Sequence, residues 1–339
     1  MKKSTKKQLF AIGCGVAFCF LIHFYYSKKV IPDETTSWMN FIYSSLAITK
    51  DHSLSRNRSI FFLETSHINK NEIILNARQC CAVESAAIMN PTMTVYLFIF
   101  TDAVNYNNKT KNYLDHLMNY KNIIIKHKNL LEFVKHTPIE EWWNKTDVLK
   151  TSLWPTVHIS DILRLITIWK YGGIYFDTDV IVKSSFEEIG NFAGAEDSKL
   201  VANGIFGFEK TGIGYSIIEA CLQELIKDFR GDLWIHNGPR VLTVTLQKFC
   251  GTPDTNLMTY DRCSGFTVFP TAVFYPIHWS NWRKYFQRDD EDNTMAAIKK
   301  SLVIHVWNKL SSSTVIKVGS DLPEIINDKL KVMKCEVNN

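Results

Sequence analysis

The chain has 339 residues, 46% of them hydrophobic and 13% aromatic, which excludes a disordered chain and suffices for one large domain or two closely joined ones. The formal net charge is +5, but Lys2, Lys3, Lys6, Lys7, Lys28 and Lys29 all precede the first acid, Asp33. Without those six the balance is 33 basic to 34 acidic residues, which excludes a basic nucleic-acid-binding body.

Residues 1–7 read as a short cytoplasmic tail. Residues 8–27, "QLFAIGCGVAFCFLIHFYYS", carry no charge and match the ~20 residues that span a bilayer. More lysines precede the run than follow it, so the N-terminus is expected in the cytosol. A cleaved signal peptide would want a shorter apolar core and a small-x-small site. The run ends instead in the aromatic edge His23 to Tyr26, which favours an uncleaved transmembrane signal anchor of type II. The bulk of the chain is then lumenal. The sequons at Asn57, Asn108 and Asn144 all follow the anchor, as N-glycosylation requires. Beyond Cys14 and Cys19 of the anchor, six cysteines face an oxidising compartment. Cys250 and Cys263 flank the polar loop "GTPDTNLMTYDR", and a disulfide there would be worth roughly 2–4 kcal/mol. The other pairings stay open, and no spacing resembles a zinc site.

Residues 28–56 read as a polar stem. "SIFFLETS" reads as a buried strand, and "NEIILNARQCCAVESAAIMNP" as a helix stopped by Asn90-Pro91. "TMTVYLFIFTD" and "NIIIKHKN" are further strands. This alternation predicts an α/β fold with a largely parallel sheet. "PTVHISDILRLITIWKYGG" is the clearest helix: Pro155 suits its first turn, Ile159, Ile162, Leu163, Ile166 and Trp169 give an apolar face, and Gly172-Gly173 ends it. The strand "IYF" then delivers Asp177. "NGIFGFEK" reads as a strand, 215–229 and "GPRVLTVTLQKFC" as helices, "SLVIHVWN" as a late strand and "LPEIINDKLKVM" as a terminal helix.

Asp177-Thr178-Asp179 poses the chemical question. Ligands of open α/β sheets bind beyond the carboxyl ends of the strands. Two acids there do not both stay charged cheaply unless a cation neutralises them. A hard divalent ion such as Mn²⁺ or Mg²⁺ suits oxygen ligands and keeps positions open for phosphate oxygens. A bare Asp-x-Asp is more often a surface or capping pair. Asp161 and Arg164 shift that balance, because they lie three apart on the preceding helix and project toward one edge. Arg164 suits a bidentate grip on phosphate, and Asp161 suits sugar hydroxyls. The plainer reading of these two is a local ion pair worth under ~1 kcal/mol.

"SDILRLITIWKYGGIYFDTDVIV" resembles the Asp-x-Asp sugar-binding region of retaining GT-A glycosyltransferases of the Golgi. In chain order, "FFLETS", "CAVESAA", "NGIFGFEK", "HNGPRVLT", "VFYPIHWSNWRKYF" and "VIHVWNKLS" resemble the family of lactosylceramide α1,4-galactosyltransferases and α1,4-N-acetylglucosaminyltransferases. The resemblance covers 59 to about 310, plus the anchor. It implies a Rossmann-like GT-A fold with a mostly parallel sheet. Residues 57–200 would be the nucleotide-sugar half and 201–339 the C-terminal half of one catalytic domain. It also implies a UDP-sugar donor, Mn²⁺, a glycolipid or glycan acceptor, retention of the α anomer and a Golgi membrane location.

By the same resemblance, Asp177 and Asp179 are the catalytic metal-and-diphosphate motif. Asp161 and Arg164 hold the donor sugar and diphosphate. Phe62, Glu64 and Ser66, at the first strand's end, hold uridine, and Tyr175 and Thr178 join the donor contacts. His305 is a candidate third metal or diphosphate ligand, weighed equally against a hydrogen-bonded core histidine. Asn203, His236, Asn237, Trp279 and Trp307 are acceptor-side or sugar-side candidates. Trp279 and Trp282 suit stacking on a sugar face, although with nine tryptophans plain packing is the commoner role. Retention by double displacement needs a carboxylate nucleophile, and none beyond the metal pair stands out by motif. A front-face mechanism needs none.

Two other readings compete. In a haloacid-dehalogenase-type phosphohydrolase the Asp-x-Asp strand opens the domain, whereas here about four elements precede it. Asp289-Asp290, which would pose as that family's late acidic pair, falls in a charged loop. The other is a membrane-anchored sugar-binding protein on an inactive transferase scaffold, against which the intact acids speak.

Overall fold

The computed structural model describes residues 58–314, apart from 69, 71, 102–104 and 288–290. The expected tail, anchor, stem, Asn57, Asp289-Asp290 and terminal helix lie outside the described residues. Among the described residues no helix is long and apolar enough to cross a membrane. All of them fall within one compact unit, Ile48–Asn339.

Seven strands build the main sheet: β1 (Ser59–Glu64), β2 (Thr94–Phe100), β3 (Ile123–Lys128), β4 (Gly173–Phe176), β6 (Asn191–Ala195), β7 (Val201–Phe208) and β8 (Phe266–Phe269). Their order is β3-β2-β1-β4-β7-β6-β8. Four of the six pairings are parallel, and β7 runs antiparallel to both its neighbours. The sheet is therefore largely parallel, as the alternation predicts. Two short strands, β5 (Val180–Val182) and β9 (Val303–His305), pair antiparallel in a separate ribbon.

The strands are apolar on both faces because helices cover the sheet. Ile60, Phe61, Phe62 and Leu63 of β1 are all buried. Helix α1 (Ala77–Met89) starts with a capping box, in which the Asn76 side chain accepts from the Gln79 N–H and the Gln79 side chain accepts from the Asn76 N–H. Helix α2 (Asn108–Leu117) lies between β2 and β3 in sequence. The sequon asparagines Asn108 and Asn144 are both exposed.

Helix α3 (Pro155–Tyr171) begins on Pro155 and ends at Gly172, with φ of +64°. Its burial is broader than one stripe. Ile162, Leu163 and Ile166 are buried, and so are His158, Asp161, Arg164 and Thr167, whereas Ile159 and Trp169 are only partly covered. The helix is a central element rather than a surface one, so Asp161 and Arg164 are not an exposed ion pair.

Helix α4 (Gly212–Lys227) starts three residues before its expected position. Helix α5 (Val241–Cys250) follows a widened π-type turn, His236–Arg240, closed by the Arg240 N–H donating to Ile235 O at 3.1 Å. Such turns often mark functional segments.

Cys250 and Cys263 form a disulfide across 13 residues. Cys80 and Cys221 remain buried free thiols, so the even cysteine count does not mean complete pairing. Burial pushes both thiols up to about 12, which keeps them unreactive. Replacing Cys263 by Ser should lower the unfolding free energy by about 3 kcal/mol for a loop of this length. Urea denaturation reads this directly, and an unchanged midpoint would show that the loop is held by other contacts.

Candidate active site

The two acids arrive by different routes. The Asp177 N–H donates to Gly204 O at 2.8 Å, so this residue extends the β4–β7 ladder by one step. After Thr178 the chain enters β5, whose register sets Val180 opposite His305 of β9. The Val306 N–H donates to Asp179 O at 2.9 Å. This ribbon brings a histidine from late in the chain to the acidic pair. His305 Nε2 lies 3.2 Å from Asp179 Oδ1 and 3.6 Å from Asp177 Oδ2.

Each acid is held separately. Asp177 Oδ1 pairs with Arg164 Nη1 at 2.9 Å and accepts from the Tyr175 hydroxyl at 2.5 Å. Asp179 Oδ2 accepts from the Asn308 N–H at 2.7 Å. Their titrations move in opposite directions. Burial opposes the charge on Asp177, but Arg164 and His305 outweigh it and hold its carboxyl below the usual range. Burial wins at Asp179 and raises it. Burial would lower His305, yet the adjacent Asp179 and Asp177 carboxylates raise it above an ordinary histidine.

Asp161 is the third acid. Its Oδ1 accepts from Asn203 Nδ2 at 2.8 Å and lies 3.5 Å from Arg164 Nη2. Its Oδ2 is buried and has no protein partner. Burial pushes this carboxyl up to about 6. An orphan acceptor beside a cavity suits a ligand hydroxyl. Arg164 is less available to ligands than its sequence position suggests. Nη1 also donates to Asn203 O at 2.8 Å, Nη2 to Ser160 Oγ at 3.1 Å, and the guanidinium lies 4.8 Å over the Tyr175 ring. It positions Asp177 more than it reaches outward.

Two cavities meet at the acid pair. The smaller, about 370 Å³, is polar and includes Glu64, Ser66, Gln79, Ser160 and Thr178 in its walls. Glu64 is tied by the Ser66 N–H at 2.7 Å and Gln79 Nε2 at 2.6 Å. Burial opposes its charge, but bonds from His67 and Ser66 lower its carboxyl below the usual range. The larger cavity, about 790 Å³, is walled by Asp161, Asn203, Trp154, Trp234 and Trp279 among others. Asp177 and Asp179 line both.

Two glycines make this space. A Cβ on Gly204 would lie 2.7 Å from Asp177 Oδ2 and 3.3 Å from His305 Nε2. A Cβ on Gly238 would lie 2.0 Å from Asn203 Nδ2 and 2.6 Å from Asp161 Oδ1. Donor atoms of Asp177, Asp179 and His305 all come within 4.8 Å of one another. Two carboxylates and an imidazole, with backbone held back at Gly204, fit a divalent cation of the Mn²⁺ type.

Residues 76–195 match the glycosyltransferase sugar-binding region containing the DXD motif, and 210–325 match the alpha 1,4-glycosyltransferase conserved region. The lactosylceramide 4-alpha-galactosyltransferase of Rattus norvegicus is 31% identical over 94% of this chain and 88% of its own length. That of Homo sapiens is 32% identical over 77% of this chain and 72% of its own. The alpha-1,4-N-acetylglucosaminyltransferase of Homo sapiens is 31% identical over 80% and 78%. The chain belongs to the alpha-1,4-glycosyltransferase family. Like its family, it is a hexosyltransferase. Among solved structures, PaToxG glycosyltransferase aligns with 79% of this chain and 97% of its own at 16% identity and a TM-score of 0.46.

Most of the residues expected from the sequence surround the two cavities of this glycosyltransferase, and some do not. Trp307 lines the larger cavity, with its Nε1 donating to Ile277 O at 2.8 Å and its ring 4.4 Å from that of His305. Phe62 lies in neither cavity; it is fully buried and packs against Phe176, whereas Leu63, Glu64, Thr65 and Ser66 line the smaller one. His236 does not line the cavity but bonds Asp228. Asn237 is buried and latches the Arg230 backbone at 2.9 and 2.7 Å. Both build the loop, which presents Ile235 and Pro239 to the cavity instead. Trp282 is half-buried and packs against the core through Phe286. Sequence reasoning missed Gly204, Gly238, Glu196, Tyr275 and Asn308. The two glycines sit inside recognised motifs, but their signal is a spatial clash that no spacing reveals. Gly204→Ala should lower turnover at least tenfold while the melting temperature stays within a few degrees. Steady-state kinetics beside thermal denaturation decide this, and full activity would show that Asp177 has room to move.

Proposed function

We propose that this chain is a retaining α1,4-glycosyltransferase of the GT-A type. It would transfer galactose or an N-acetylhexosamine from a UDP-sugar to the terminal sugar of a glycosphingolipid such as lactosylceramide. The observation that carries the reading is the pair of cavities joined at one acid pair. The smaller suits a nucleoside, since its walls are polar and hydrogen-bonded. The larger suits sugars, since it combines aromatic faces with carboxylates and amides. A diphosphate would bridge the two at Asp177 and Asp179. The glycolipid acceptor is supported by the activity named for the mammalian relatives. A type II anchor at 8–27 is supported by that uncharged run, and a Golgi membrane location by the likeness to glycolipid transferases.

Asp177 and Asp179, with His305, would hold Mn²⁺ or a similar ion. When bound, the cation supplies charge neutralisation for the diphosphate leaving group. The protein's own groups do the rest. Arg164 and Tyr175 fix Asp177, the Asn308 N–H fixes Asp179, and Asp161 Oδ2 accepts from a donor-sugar hydroxyl. Retention fits a front-face displacement, in which the departing phosphate oxygen takes the acceptor proton. Asp161 is then an orienting group, because its Oδ1 is already engaged by Asn203.

Chelation should abolish UDP release, and Mn²⁺ should restore it. Asp179→Asn should lose at least a hundredfold in turnover, should not recover with excess Mn²⁺, and should fold normally. The assay is UDP release from UDP-galactose or UDP-N-acetylglucosamine with lactosylceramide. Turnover by the chelated protein would remove the metal from the mechanism. No release from any UDP-sugar would overturn the transferase reading.

A further inference from the structure

Glu196 is a carboxylate of the larger cavity that the mechanism above leaves unused. It directly follows β6. Its N–H donates to Leu200 O at 2.8 Å, whereas the Asp177 N–H reaches Gly204 O, four residues along the neighbouring chain. Four residues of extended chain span about 13 Å, which sets the Glu196 backbone apart from that of the acid pair, although its carboxyl still feels His305 through space. Among the described residues, the cluster able to hold a metal is Asp177, Asp179 and His305, without Glu196. Glu196 therefore lines the same cavity as the acid pair without joining its cluster.

Trp279 shares this outer part of the cavity. It is 46% exposed and lines the same walls. It shares those walls with the Glu196 carboxylate, whose charge the indole favours, and the His278 ring lies 5.0 Å from its own. Burial raises the Glu196 carboxyl, with His278 and His305 opposing. The indole and the acid thus sit side by side on one cavity wall. An indole face suits the apolar C–H face of a pyranose, and a carboxylate oxygen accepts from sugar hydroxyls at the ring's edge.

We propose that Glu196 and Trp279 form the subsite for the acceptor's terminal sugar, a neutral pyranose stacked on the indole and hydrogen-bonded by the acid. This rests on the transferase reading above and extends it. The acid makes the subsite selective, since a carboxylate-bearing sugar placed there meets like charge.

The test uses the detergent-solubilised full chain, with UDP-galactose or UDP-N-acetylglucosamine as donor and octyl β-lactoside as acceptor probe. Glu196→Gln, Trp279→Ala and Trp279→Phe are compared with the wild type. Acceptor KM should rise at least tenfold in the first two, and less in Trp279→Phe. Donor KM and acceptor-independent UDP release should stay within twofold. Calorimetric binding of octyl β-lactoside should weaken in step. Unchanged acceptor KM and binding would overturn the subsite. An equal loss of acceptor-independent UDP release would overturn it too, by assigning Glu196 to the donor. If the wild type releases no UDP from any UDP-sugar, the transferase reading fails, and calorimetry still decides whether Glu196 and Trp279 bind the lactoside.

Discussion

One buried and two half-buried carboxylates gather around the Arg164 guanidinium and the His305 imidazole, and the rest of this centre follows from that concentration of negative charge. Arg164 settles Asp177, and His305 reaches both acids of the motif. Asp161 and Asp179 remain raised by burial. A protein interior does not hold such negative charge without compensation. The arrangement is therefore stable as a receptor for positive charge or for hydrogen-bond donors, and unfavourable as a mere structural motif. The glycine at 204 and the glycine at 238 belong to the same constraint, because a side chain at either would displace an acid or its partner.

How the acids are delivered explains which parts of the molecule were legible beforehand. The apolar runs of β1, β2 and β4 and the bounds of α3 follow from composition, capping and terminal glycines. The acid pair was readable because two carboxylates closing a buried strand violate an otherwise consistent pattern. Phe62 was misplaced for the converse reason. β1 is buried on both faces, so no alternation tells which of its residues approaches a ligand. The π-type turn at His236–Arg240 hid the true roles of His236 and Asn237, since polar residues beside a glycine look alike whether they face a substrate or brace a loop. Glu196 carried no signal at all. It is one acid after a strand, and only the fold shows that the strand ends at a cavity wall.

Arg164 illustrates a second limit. Spacing alone put Asp161 and Arg164 on one helix edge and suggested a fork facing phosphate. The helix is buried more widely than its apolar stripe implies. The same fork geometry that suits phosphate is spent on Asp177, the Asn203 carbonyl and Ser160. The residue type was informative, but its partner depended on burial that a periodic pattern does not report.

The β5–β9 ribbon has a consequence for how the chain is made. Synthesis supplies Asp177 and Asp179 first, while β9 and His305 come more than a hundred residues later. The β1–β4 portion of the sheet has its strands early, yet the acids wait without their imidazole and without the backbone donor of Asn308. A nascent chain therefore passes through a stage in which sheet strands are present and the centre is open and negative. Completion of the centre waits for β9, and a product that stops short of β9 would carry the motif but not the site.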